Sequence, residues 1–214
     1  MVRGKTIGYM TIDSSKYATY GPDEGALAQA FADEVSIAIE HARLFKEVQL
    51  MAVTDSLTGL YNRRYFFELS RHEIQRASRY EQPLSLIMLD LDNLKKVNDT
   101  YGHHMGDQLI KSIASLCLAT LRSVDLVARI GGDEFVILLP STPLDQAFAA
   151  AKRLCRKAAQ IRIPADMDMI RTTVSIGVVQ YEKGIPDIDA LLARADEALY
   201  LSKTSGKNKV TILK

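Results

Sequence analysis

The period of the apolar positions changes several times along the 214-residue chain, and each change marks an element. Residues 6–12 (Thr-Ile-Gly-Tyr-Met-Thr-Ile) alternate as a half-buried strand does. Gly21-Pro22-Asp23-Glu24 then reads as a helix start. Proline suits the first helical position, where its missing N–H is no loss, and acids suit the positive end of the helix dipole. The helical period runs from there to about residue 53, and Phe31, Val35, Ala38, Ala42, Phe45, Gln49 and Ala52 fall at alternating spacings of four and three. That is the seam of a coiled coil. Ile37, Leu44, Val48 and Met51 widen the apolar face, so a partner helix and the chain's own globular part are both open as its packing surface.

Beyond a loop over 55–62, the pattern predicts a helix to about 80, a strand near 84–90 and a helix near 105–120. Strands near 126–131 and 134–139 follow, then a helix, a strand, a helix and a short strand. This mixed order predicts an α/β fold, an α+β sandwich with helices on an antiparallel or mixed sheet, and not a doubly wound nucleotide fold. Two parts result: 1–53, a strand and a long helix, and 54–214, the globular part.

Charge narrows the function. With 27 basic against 26 acidic residues and no block of like sign, nothing suits the surface to a nucleic-acid backbone, and a small anionic ligand fits better. No apolar stretch is long enough to cross a bilayer and no signal-peptide core follows Met1, so a cytosolic protein is expected. Cys117 and Cys155 lack metal-ligand spacing and fall in helical patterns, which predicts buried, reduced thiols.

The candidate chemistry lies in carboxylates. Ser85-Leu-Ile-Met-Leu-Asp90-Leu-Asp92 is an apolar strand ending in two acids, which the strand period puts on one face. Val127-Ala-Arg-Ile-Gly131-Gly132-Asp133-Glu134-Phe135 reads as a hairpin turning on two glycines and two further acids. An acid pair at a strand end is usually only solvated. If the two strands are neighbours, however, Asp90 and Asp133 can converge on hard divalent cations, and Gly131 and Gly132 leave the backbone open to a ligand.

Gly131-Gly-Asp-Glu-Phe135 resembles the signature of the GGDEF family, and the run from Asp90 through Asn98 to Asp107 resembles that family's other long motif. Asp55-Ser-Leu-Thr-Gly-Leu-Tyr-Asn-Arg-Arg64, Val174-Ser-Ile-Gly177 and Ala195-Asp-Glu-Ala-Leu-Tyr200 with Lys203 and Gly206-Lys-Asn208 extend the likeness over 54–214. The resemblance implies a fold like the palm of nucleotide polymerases and class III cyclases. It also implies a diguanylate cyclase, which condenses two GTP into cyclic di-GMP and two pyrophosphate by attack of a ribose 3′-hydroxyl on an α-phosphorus. Two Mg²⁺ (or Mn²⁺) per site would be held by Asp90, Asp133 and the Leu91 carbonyl, with Glu134 as a further ligand or as proton acceptor. Guanine would be read by Asn98 and Asp107, because a carboxylate can take its N1 and N2 donors as a pair. The bland alternative for these two is capping of the helix near 105, a role Asp99 could also fill. Lys95, Lys203 and Lys207 match triphosphate contacts, Lys207 standing where arginine is commoner, and Leu94 stands where phenylalanine is commoner and would pack beneath the triphosphate loop. Gly102 and His103 match as structural turn residues.

Arg122-Ser-Val-Asp125 lies at the family's offset for an inhibitory product site, so feedback by cyclic di-GMP is expected there, with Arg153 as a partner suggested by spacing. Residues 1–50 resemble the end of a GAF sensory domain, whose exit helix would set how two catalytic domains face each other in a homodimer. The rival readings are a receptor that binds GTP or cyclic di-GMP without turnover, an adenylyl cyclase of similar fold, and a non-enzymatic coiled-coil module.

Overall fold

The computed structural model describes residues 6, 8–11, 13, 15, 21–165 and 168–213, and the chain divides into two compact units, Met1–Ala52 and Val53–Lys214.

The first unit is carried by helix α1 (Pro22–Val53), which starts at the proline as the sequence signal requires. The Glu24 carboxylate reaches back to accept the Gly21 N–H at 2.8 Å, satisfying a donor that the first turn cannot. No residue of α1 is buried, and the seam residues Phe31 and Phe45 stay 65% and 66% exposed. The strand expected over 6–12 does not form at its described positions, 6 and 8–11, while 7 and 12 lie outside the described residues. Alternation alone makes no strand without an edge to pair with, and among the described residues none pairs there.

The second unit runs β1 (Tyr61–Asn62), α2 (Arg63–Tyr80), β2 (Leu84–Leu91), α3 (Leu94–Tyr101), α4 (His103–Thr120), β3 (Leu126–Arg129), β4 (Glu134–Pro140) and α5 (Leu144–Ala158). It continues with β5 (Arg162–Ala165), β6 (Asp168–Arg171), β7 (Val174–Gln180), α6 (Ile188–Thr204) and β8 (Val210–Ile212). One six-stranded sheet has the order β1-β3-β4-β2-β7-β8, and β5 and β6 form a separate hairpin. The central strand β2 is antiparallel to both β4 and β7, whereas β1 with β3 and β7 with β8 are parallel, so the sheet is mixed.

Period two along β2 sends side chains alternately to two cores. Ile87, Leu89 and Leu91 join Leu109 and Ile113 of α4 and Leu154 of α5, whereas Leu86 and Met88 join Phe66 and Ile74 of α2 and Leu191 and Leu199 of α6. Helices therefore cover both faces, and the mixed α/β fold expected from the order of elements is the one observed. Where α6 crosses β7 the contact is backbone on backbone, because any Cβ on Gly177 would collide with the Ala195 carbonyl and the Leu199 N–H. Among the described residues no helix is long and apolar enough to cross a membrane.

In the second unit the two-residue strand β1 falls inside the loop expected over 55–62, and three further features depart from the pattern reading. Helix α3 precedes the helix expected near 105, which starts at His103; strand β3 stops at Arg129; and the β5–β6 hairpin was not anticipated. The eight residues of α3 bury only Leu94 and Val97, too few to print a helical period. The hairpin strands carry Pro164 and three charged residues, Arg162, Asp168 and Arg171, and proline ordinarily argues against a strand except at an edge.

Candidate active site

Strand β2 ends where β4 begins. Their antiparallel register sets Asp90 opposite Glu134, and the Leu91 N–H donates to the Asp133 carbonyl at 3.2 Å, so both acidic motifs meet at one edge of the sheet. The Asp90 side chain is 8% exposed, and Lys203 Nζ, delivered by the last turn of α6, lies 2.8 Å from its Oδ2. Burial raises the Asp90 carboxyl, the Lys203 hydrogen bond opposes that rise, and the charges of Asp133 and Glu134 add to it, leaving it pushed up to about 6. Lys203 loses by burial but gains more from Asp90, and it is held above its ordinary value. Three acids facing one lysine leave a local excess of negative charge on oxygen donors, which suits a hard divalent cation such as Mg²⁺ or Mn²⁺. Among the described residues no three acids, histidines or cysteines already close around a single point, so Asp90, Asp133, Glu134 and the Leu91 carbonyl form an open edge that could hold an ion.

Of the two acids at the end of β2, only Asp90 is left for chemistry. Asp92 accepts from Thr173 Oγ1 at 2.6 Å, Ser175 Oγ at 2.7 Å and the Asn208 N–H at 3.1 Å. It is a brace between β2, β7 and the loop after α6. Beside it, Lys207 Nζ donates to Asn93 Oδ1 at 2.6 Å. Lys95 is exposed in the first turn of α3, two residues past Asn93, and Leu94 is buried in the core beneath.

The signature loop is held by a residue the sequence reading passed over. Arg129 donates from Nη2 to the Gly132 carbonyl at 2.8 Å, from Nε to the Gly131 carbonyl at 3.1 Å and from Nη1 to Asp55 Oδ1 at 3.2 Å. Burial raises Asp55, but hydrogen bonds from Thr58 and Arg129 outweigh it and hold the carboxyl below its ordinary value. The available signal was the pairing of an acid in the motif at 55–64 with a lone arginine just before the signature. Neither signature glycine has a positive φ; Gly131 instead leaves room for Glu134, whose Oε2 would lie 2.5 Å from an added Cβ.

Helix α4 takes Gly102 (φ 83°) as its cap with no side-chain hydrogen bond, so Asn98, Asp99 and Asp107 do not cap it. Asn98 Oδ1 is buried without a hydrogen-bond partner, beside Gly106, where a side chain would collide with it. A buried acceptor left unpaired is costly unless a ligand supplies the donor. Asp107 is half-buried one residue further along α4.

At the other end of β4, about 20 Å away by strand rise, Arg122 Nη2 lies 3.0 Å from Asp125 Oδ1. A cleft of about 300 Å³ beside this pair is also lined by Thr142, Gln146 and Arg153, and Arg153 Nη2 donates to the Thr120 carbonyl at 3.2 Å. Both cysteines are buried; burial pushes Cys117 up to about 12, and the Cys155 thiol donates to Asn208 Oδ1 at 3.6 Å behind the Asp92 brace.

Residues 52–209 match the family model described as diguanylate cyclase, GGDEF domain. Diguanylate cyclase A of Treponema denticola is 32% identical over 220 residues, covering 99% of this chain and 57% of that protein. Diguanylate cyclase DgcM of Escherichia coli is 37% identical over 187 residues, covering 85% of this chain and 45% of that one. The chain thus spans about half the length of these curated relatives. A crystal structure of the coiled coil and GGDEF domain of DgcB from Caulobacter crescentus, in complex with c-di-GMP, superposes with a TM-score of 0.78 at 28% identity, covering 88% of this chain and all of that one. With the family model matching residues 52–209, most of its length, the chain belongs to the GGDEF family.

Proposed function

We propose that Val53–Lys214 is the catalytic domain of a diguanylate cyclase, working in the cytosol as a homodimer in which each subunit holds one GTP and the new bonds form between them. The observation that carries this reading is the pairing of Asp90 with Glu134 across β2 and β4, beside Asp133 and on a backbone edge clamped by Arg129. Asp90, Asp133 and the Leu91 carbonyl would hold two Mg²⁺ or Mn²⁺, with Glu134 as a further ligand or as acceptor of the 3′-hydroxyl proton. Bound there, the ions would neutralise the triphosphate and polarise the α-phosphorus towards in-line attack. Lys203, released from Asp90, would turn to the phosphates with Lys95 and Lys207. The unpaired Asn98 oxygen and the Asp107 carboxylate supply acceptors for the N–H donors of guanine, and Gly131 and Gly132 let the nucleotide approach the backbone.

The exposed apolar seam of α1 supports pairing of two chains through residues 23–53, and the same stretch would be the exit helix of a GAF domain. Cyclic di-GMP would bind back at Arg122 and Asp125, with Arg153 on the rim of the same cleft, and inhibit the enzyme. The test is incubation of the purified protein with GTP and Mg²⁺ at several protein concentrations, with chromatographic identification of products and an Asp133→Ala control. Cyclic di-GMP and pyrophosphate that vanish in the control are expected. No product from a confirmed dimer stripped of bound nucleotide would overturn the cyclase in favour of a receptor.

A further inference from the structure

The turn at Arg122–Asp125 is closed on itself. Asp125 is only 2% exposed at its side chain; its Oδ2 accepts the Arg122 backbone N–H at 2.8 Å, and its Oδ1 faces Arg122 Nη2 at 3.0 Å. The second Nη2 hydrogen is taken as well, by Thr142 Oγ1 at 2.5 Å. Thr142 in turn donates to the Pro140 carbonyl at 2.9 Å, which fixes its single hydroxyl proton and leaves its lone pairs turned to the arginine. Its own backbone is anchored at both polar groups: the N–H donates to the Pro83 carbonyl at 2.9 Å, and the carbonyl accepts from Ser85 Oγ at 2.8 Å. The residue is 4% exposed and cannot follow the arginine outward.

The Arg122 side chain is 54% exposed and can be met from outside, but a ligand can reach Asp125, or take the Nη2 hydrogens, only after the guanidinium leaves this clasp. We propose that Thr142 is a positioning residue for the product site, a latch that holds Arg122 folded onto Asp125 and so raises the concentration of cyclic di-GMP needed to occupy it. This rests on the reading of Arg122–Asp125 as that site. The chemistry is an exchange: the ligand's anionic or acceptor groups replace the threonine hydroxyl and the carboxylate as partners of Arg122, and its N–H donors replace Arg122 as partners of Asp125. Weakening the internal partner then strengthens the external one, because the bound state no longer has to be reached from a closed one.

The experiment is titration of the full chain with cyclic di-GMP by calorimetry, with association rates from stopped flow, for the native protein and Thr142→Val, Thr142→Ser and Arg122→Ala. Valine keeps the shape and removes the hydroxyl, so Thr142→Val is expected to bind about fivefold more tightly, the size of one net hydrogen bond, with most of the gain in the association rate. Thr142→Ser, which keeps the hydroxyl, should bind as the native protein does. Unchanged or weaker binding by Thr142→Val, with Arg122→Ala abolishing binding, would overturn the latch and leave the site. Equal binding by the native protein and Arg122→Ala would overturn the site itself. A fall in affinity shared by the valine and serine variants would mean that Thr142 only packs the turn.

Discussion

Two buried carboxylates in this molecule are each paired with the protein's own cation, and they differ in what surrounds the pair. Asp90 meets Lys203 across the fold, from strand to helix, through one contact at 2.8 Å, with Asp133 and Glu134 crowding the same edge. Asp125 meets Arg122 within one turn, three residues away, through side-chain and backbone bonds together. The first pair leaves negative charge over; the second consumes its own. A lysine is a point charge on a flexible stem and gives way to a better counter-ion, whereas an arginine fork locked by several partners must be displaced group by group. On the proposed reading, the first place is therefore the one open to a cation from solution, and the second stays closed until a ligand competes for both partners.

The sharpest way to break this contrast is Asp90→Asn. Turnover of GTP is expected to fall by about 10²–10³-fold or more, since the neutral amide cannot hold the charge the reaction needs, and product chromatography measures it. Next is Asp125→Ala, which leaves Arg122 without its carboxylate and takes from the ligand an acceptor for its N–H donors. Affinity for cyclic di-GMP should drop by about 100-fold in calorimetry.

A third prediction concerns stability without metal. The folded Asp90 carboxyl sits at about 6 against an ordinary 3.8, so the native state holds the proton more tightly than the unfolded chain does. Its contribution is complete at low pH and is lost as pH rises from about 4 to about 6. In EDTA the native protein should lose about 2 kcal/mol through that window relative to Asp90→Asn, as read from urea midpoints at each pH. The stability gap between the two proteins should thus shift in favour of Asp90→Asn as pH rises through that window and stay constant above it. The smallest effect is expected at the third acid, Asp92, whose partners are neutral donors. Asp92→Asn should cost about 1–2 kcal/mol in the urea midpoint, because an amide cannot accept all three bonds.

These acids also mark how far the sequence could be read. Asp90, Asp133 and Glu134 were visible because strand period and turn composition are local, and a local pattern sufficed to bring them to strand ends. That Asp92 is spent as a brace was not visible, since its partners Thr173, Ser175 and Asn208 stand on β7 and past α6. The register of two strands had to be known first. Arg129 escaped for the same reason: its carboxylate partner Asp55 belongs to the loop before β1. The helix α3 and the β5–β6 hairpin lack enough buried positions, or carry a proline, so tertiary contacts and not periodicity decide them. The long helix α1 was legible end to end because its start signal and its apolar period are both local. At the turn of Arg122 the motif was visible, whereas Thr142 was just one more threonine in a loop.

Gly177 has a bearing on how variants of this protein should be interpreted. With no clearance between β7 and α6 at that point, the smallest side chain would act as a shim, lifting the helix away from the sheet. Lys203 rides on the last turn of that helix and would carry the displacement to Asp90 with no clash of its own. A folded protein with faulty charge balance at its acidic edge would result, and its defect would be traced to the acids by anyone who assayed activity alone. The lesion would lie in the fit between two backbones, at a position that bears no functional group at all.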